Sequence, residues 1–211
     1  MKQSIRRIII PSIIVLVGAG LVLAISVNQR MVRREVESVV AHIGGVEHAA
    51  FPQIDESSLS DIQKKIIAVS RQEYDKKPMS YDDNVLKYSN GVVEPWCADY
   101  VSWVMRQAGS PLVNPNSGGW RIPGVLTLRE YYQSAGRFKD AKGYMPKVGD
   151  VAIYVNTSSF NMSRQHTSIV LEVDGSKITT IGGNEYGRLR VSTQELKPGV
   201  KGLIGYGVLP Q

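Results

Sequence analysis

Pro95-Trp96-Cys97-Ala98-Asp99-Tyr100-Val101-Ser102-Trp103 decides how the rest of the chain is read, and it contains the only cysteine among 211 residues. Pro95 fixes φ and has no N–H, so a helix cannot run through it from upstream. Downstream, Cys97, Val101, Val104 and Ala108 recur at helical spacing, and Gly109 follows as a stop signal. The spacing predicts a helix with Cys97 in its first turn and one apolar face to bury. A thiol in a first helical turn meets unpaired N–H groups and the positive end of the helix dipole, which favour thiolate. The stretch reads either as a nucleophile in need of a histidine or as a buried structural cysteine.

Ahead of it, Ser60 and Gln63 form a capping-box pattern. Ile62, Ile66, Val69 and Tyr74 then predict a helix that Lys76-Lys77-Pro78 ends. Residues 79–94 and 110–123 read as loops, and Val125, Leu128 and Tyr132 predict another short helix. After Pro146 the pattern changes to strands over 151–155, 166–173, 177–181, 188–191 and 203–208, with Asp174-Gly175 as a hairpin signal. Helices first and an antiparallel sheet after them make an α+β domain over 59–211. Asp82-Asp83 does not alternate oxygen ligands as a Ca²⁺ loop does, and His42 and His48 have no clustered partners. No metal and no cofactor are expected.

Residues 8–27 carry no charge and are rich in Ile, Val and Leu. Twenty such residues match the length that crosses a bilayer as a helix. A cleaved signal peptide is the alternative, with Ala24-Ile25-Ser26 as small residues at a plausible site, although signal cores are usually shorter. The expected organisation is a basic cytoplasmic flank at 1–7, a transmembrane helix at 8–27, a stalk and linker at 28–58, and a folded domain beyond the membrane. If the segment is cleaved, the domain is secreted. Val32, Val36, Val39, Val40 and Ile43 continue helical spacing into the stalk, which offers a surface for self-association or an activating partner. The net charge of +6 resides in residues 1–34, which hold six basic residues and no acid, and the remainder has 19 of each sign. That distribution suits anionic head groups and gives no support to nucleic-acid binding.

The folded domain holds one histidine, His166, at the mouth of a strand. There it can take a proton from a thiol and return it to a leaving amine. Its second nitrogen needs an acceptor, which Asn184 or Glu185 on the returning hairpin can supply. Strand alternation puts residues 182 and 184 on one face and 185 on the other, so the register of the hairpin decides between them. Trp96 beside the cysteine, and Trp120 in the polar loop, are candidate substrate-binding residues.

The segments 95–103, Lys147-Val148-Gly149-Asp150-Val151, 166–173 and Thr179-Thr180-Ile181-Gly182-Gly183-Asn184 together resemble the CHAP domain. This is the cysteine, histidine-dependent amidohydrolase/peptidase family with a papain-like fold. The resemblance covers about residues 60–209. It implies Cys97 as nucleophile, His166 as general base and Asn184 as the residue that orients the histidine. It also implies peptidoglycan or its stem peptides as partner, cleaved as by an N-acetylmuramoyl-L-alanine amidase or an endopeptidase. One departure matters: many members carry Glu two residues before that Asn, where this chain has Gly182. Gly182 therefore keeps a second reading in view, a catalytically silent module that binds or scaffolds the wall.

Overall fold

The computed structural model describes residues 50–80, 83–156 and 164–210. Among them no helix is long and apolar enough to cross a membrane. The expected span at 8–27 and the stalk behind it lie outside the described residues.

Helix α1 (Asp61–Asp75) begins as the sequence predicts. The Gln63 N–H donates to Ser60 Oγ, and Gln63 Oε1 accepts from the Ser60 N–H at 2.9 Å. A single turn, α2 (Asp83–Leu86), interrupts the expected loop at 79–94. Helix α3 (Cys97–Gln107) carries the cysteine as its first residue. It ends in a Schellman motif, with Gly109 N–H donating to Arg106 O and Ser110 N–H to Met105 O. The expectation that α3 buries one face is corrected: eight of its residues are buried, from several sides. The sheet, α1 and the loop at 110–123 all pack around it. Helix α4 (Val125–Ser134) follows that loop.

Six strands then form one antiparallel sheet in the order β1-β6-β2-β3-β4-β5. They are β1 (Phe138–Asp140), β2 (Val151–Asn156), β3 (Arg164–Asp174), β4 (Lys177–Glu185), β5 (Arg188–Glu195) and β6 (Leu203–Gly207). β1 was not expected, because three residues are too few to show a period. The sheet is buried on both faces. Val151, Ile153, Ile169, Leu171 and Ile181 join the core under the helices. Ala152, Tyr154, Val170, Ile178 and Tyr206 join a second cluster on the other face, packed against Ala141, Tyr144, Val173 and Leu196. This explains the run of apolar residues in β2, where a half-exposed strand would alternate.

Candidate active site

The first turn of α3 and the paired starts of β3 and β4 converge on the cysteine. Trp96 is the N-cap residue with φ −106°, and no side chain caps the helix. The N–H groups of the first turn are thus left for another acceptor. Cys97 is 7% exposed. It is hydrogen-bonded to His166, whose Nε2 lies 3.1 Å from Glu185 Oε1. With Nε2 engaged by Glu185, Nδ1 is the nitrogen available to the thiol. Tyr154, directly across β2 from His166, sets its ring 6.0 Å from the imidazole, tilted by 33°.

Burial of the imidazole works against its charged form, but the hydrogen bonds that this form donates to Cys97 and Glu185, and their charge, outweigh it. The result is a His166 pKa raised to about 9. The ring remains 30% exposed, so it borders solvent on the open side of the site.

The expectation that Asn184 rather than Glu185 holds His166 is corrected by this geometry. Among the described residues no hydrogen bond joins Asn184 to His166. The β4–β5 pairing shifts register between Gly182 and Glu185, and Asn184 stands at φ 58° within that irregularity. The bulge breaks the alternation and turns Glu185 onto the face that 184 would have occupied. Gly182 is part of the same arrangement. A Cβ there would lie 2.7 Å from His166 Nε2 and closer still to Glu185 Oε1. The carboxylate of Glu185 therefore reaches the space that a side chain at 182 would fill.

The expectation for Trp96 is corrected as well. Trp96 is 2% exposed, stacks on Tyr88 at 5.7 Å and donates from Nε1 to Ser80 Oγ at 3.1 Å. It is a core anchor beneath the cysteine, with no face for a ligand. Its ring also determines Gly183, where a Cβ would come within 2.7 Å of two ring carbons. Trp120 lies under the Arg106 guanidinium at 4.7 Å. Arg106 belongs to the last turn of α3, and Trp120 is half-buried beside it.

One cluster was not read from the sequence. Arg121 brings its Nε to 2.9 Å from Asp99 Oδ1 and pairs through Nη2 with Glu94. The Asp99 contact is an ion pair without hydrogen-bond alignment, since neither atom finds a hydrogen-bond partner. Burial raises the Asp99 carboxyl, Arg121 lowers it and Glu94 raises it again, leaving a pKa of about 7. Glu94 and Asp99 bracket Cys97 in the chain, so Arg121 ties down both sides of the cysteine turn. The loop that carries Arg121 is in turn fixed to α3, where Ser102 Oγ accepts from the Ile122 N–H at 3.2 Å. No sequence spacing links Arg121 to residues more than 20 positions away.

Among the described residues no group of three or more His, Cys, Asp or Glu side chains is arranged to hold a metal ion. The CHAP domain family model matches residues 87–184, slightly under half of the chain. The matched segment contains Cys97, His166 and Asn184 and ends one residue before Glu185. No curated protein matches the chain.

Proposed function

We propose that this chain is a peptidoglycan hydrolase that cleaves an amide bond by thiol chemistry, as the CHAP resemblance of residues 87–184 suggests. The observation that carries the reading is the Cys97–His166–Glu185 chain of contacts at the start of α3. Cys97 Sγ passes its proton to His166 and attacks the carbonyl carbon of the scissile amide. The developing oxyanion falls beside the free N–H groups of the first helical turn. His166 then protonates the leaving amine, and water attacks the thioester with His166 again taking the proton. Glu185 holds the imidazole in register and stabilises its charged form. Gly182 motivated the silent-module reading, and Glu185 supplies the carboxylate that Gly182 lacks. The same proposal places residues 8–27 in the membrane and residues beyond the stalk on the wall side, which rests on the sequence alone.

The test is digestion of purified peptidoglycan by the full chain, with new amino and carboxyl ends identified by mass spectrometry. Release of a muramoyl–alanine end marks an amidase, and release of a stem-peptide end marks an endopeptidase. Both should vanish in Cys97→Ala. Intact peptidoglycan after incubation with an otherwise folded protein would overturn the assignment.

A further inference from the structure

His166 stands on β3 between two neighbouring strands, and each of them sets one residue against its ring. On the β2 side is Tyr154, its direct cross-strand partner, with ring centroids 6.0 Å apart and planes tilted by 33°. Residues paired in an antiparallel ladder share a face, and this separation is within the range of aromatic pairs. On the β4 side is Gly182, which pairs with Ser168, two residues along from His166. A Cβ at 182 would come within 2.7 Å of Nε2 and 3.2 Å of Cε1. The imidazole therefore occupies a slot with an aromatic wall from β2 and a backbone wall from β4.

Tyr154 is itself held at its far end. It is buried, and its hydroxyl accepts from Gln194 Nε2 of β5 at 3.1 Å. The side chains of Ser168 on β3 and Thr180 on β4 approach the same hydroxyl. A ring packed along its body and fixed at its tip keeps one rotamer. Burial pushes the Tyr154 hydroxyl pKa up, and the charge on Glu185 adds to that effect, so phenol, imidazole and carboxylate form one cluster. The imidazole has to meet Cys97 and Glu185 at once. Rotation about its Cβ–Cγ bond breaks both contacts, and the Tyr154 ring stands in the way of that rotation.

We propose that Tyr154 is a positioning residue for the general base: its ring holds the plane of the His166 imidazole so that Nδ1 meets Cys97 while Nε2 meets Glu185. Gln194, Thr180 and Ser168 act one step further back, through the phenol. The effect on turnover rests on the thiol-hydrolase reading, whereas the hold on the imidazole exists without substrate.

The test uses the full chain and reads kcat and KM on muropeptides, the rate at which iodoacetamide alkylates Cys97 at neutral pH, and the His166 titration by NMR. Tyr154→Leu removes the aromatic wall. It should lower kcat about ten- to hundredfold, the cost of a reacting group displaced by about 1 Å, with KM little changed. Alkylation should slow in parallel, because the thiol loses its proton acceptor. The His166 titration should move to lower pH, because the contacts with Cys97 and Glu185 that raise it are loosened. Tyr154→Phe keeps the wall and should retain most of the native value of each quantity. Tyr206→Leu disturbs the same apolar cluster from β6, two strands from His166, and should lower the melting temperature alone. Should Tyr154→Leu melt below the assay temperature, Tyr154→Met removes the ring with a more adaptable side chain. Native alkylation and an unmoved titration in a folded Tyr154→Leu or Tyr154→Met would overturn the assignment. So would equal losses in Tyr206→Leu, which would mark a general loosening of the sheet. The expected shifts in alkylation and titration, without muropeptide cleavage by the native protein, would keep Tyr154 in its role and overturn only the hydrolase reading.

Discussion

Gly182→Ala tests the catalytic geometry through a single methyl group. The new Cβ would lie 2.7 Å from His166 Nε2 and nearer to Glu185 Oε1, well inside the roughly 3.5 Å of ordinary contact. Neither neighbour is a loose chain end, because each is the other's partner at 3.1 Å. The methyl group must therefore separate the imidazole from the carboxylate. A hydrogen bond to a charged group is worth about 1.5–3 kcal/mol. If that contact positions the base in the transition state, turnover falls about ten- to hundredfold. Glu185→Gln should lose a similar amount with the backbone undisturbed. The assay is kcat and KM on muropeptides, with the His166 ring followed by NMR across pH. In the native protein the ring should titrate near 9, and in Glu185→Gln at lower pH, with the alkaline limb of activity moving the same way. The linkage has a definite sign. A histidine raised from 6.5 to about 9 in the fold adds stability that is complete below pH 6.5 and lost as pH rises through 9. Glu185→Gln should flatten that decline. An unshifted His166 titration in Glu185→Gln, with native turnover in Gly182→Ala, would refute the reasoning.

Asp99 binds its proton more tightly in the fold than in the unfolded chain, about 7 against 3.8, so stability should fall as pH rises between those values. Asp99→Asn should remove that slope in thermal melts recorded from pH 4 to 8. Gly183→Ala forces a methyl group against the Trp96 ring and should cost about 1–3 kcal/mol, read as a lower denaturation midpoint. Trp120→Ala should lower thermal stability, since its ring packs under Arg106, and unchanged kcat with raised KM on muropeptides would show that the ring also meets substrate.

The meeting of Cys97 and His166 was legible because each residue obeys a local rule. Pro95 and the spacing of Cys97, Val101 and Val104 announce a helix start, and β-rich periodicity puts His166 at a strand mouth. Glu185 was harder, because counting faces along β4 assumes an unbroken ladder. The shift between Gly182 and Glu185 reverses the count. The adjacent glycines were the available signal, since each marks a close approach by the imidazole or by Trp96. Trp96 looked like a ligand platform because sequence shows an aromatic residue beside a nucleophile but not the Tyr88 ring and Ser80 hydroxyl that enclose it. The burial of α3 from several sides was hidden for a related reason, as Ser102 and Asp99 look like a polar face until Ile122 and Arg121 arrive from the following loop.

The place of β6 in the sheet has a consequence for how the protein becomes active. Residues 203–207 pair with β1 on one side and β2 on the other, although both precede them by more than 45 positions. A chain emerging amino terminus first can synthesise Cys97, His166 and Glu185 and still have two strand edges open. Open edges of this kind are prone to pair with other chains. β6 closes the gap, so assembly of the sheet that carries His166 waits on residues 203–207. The sheet that holds His166 against Cys97 therefore depends on a segment made after every residue of the site, so the contacts at the cysteine are set last by a strand that touches none of them in sequence.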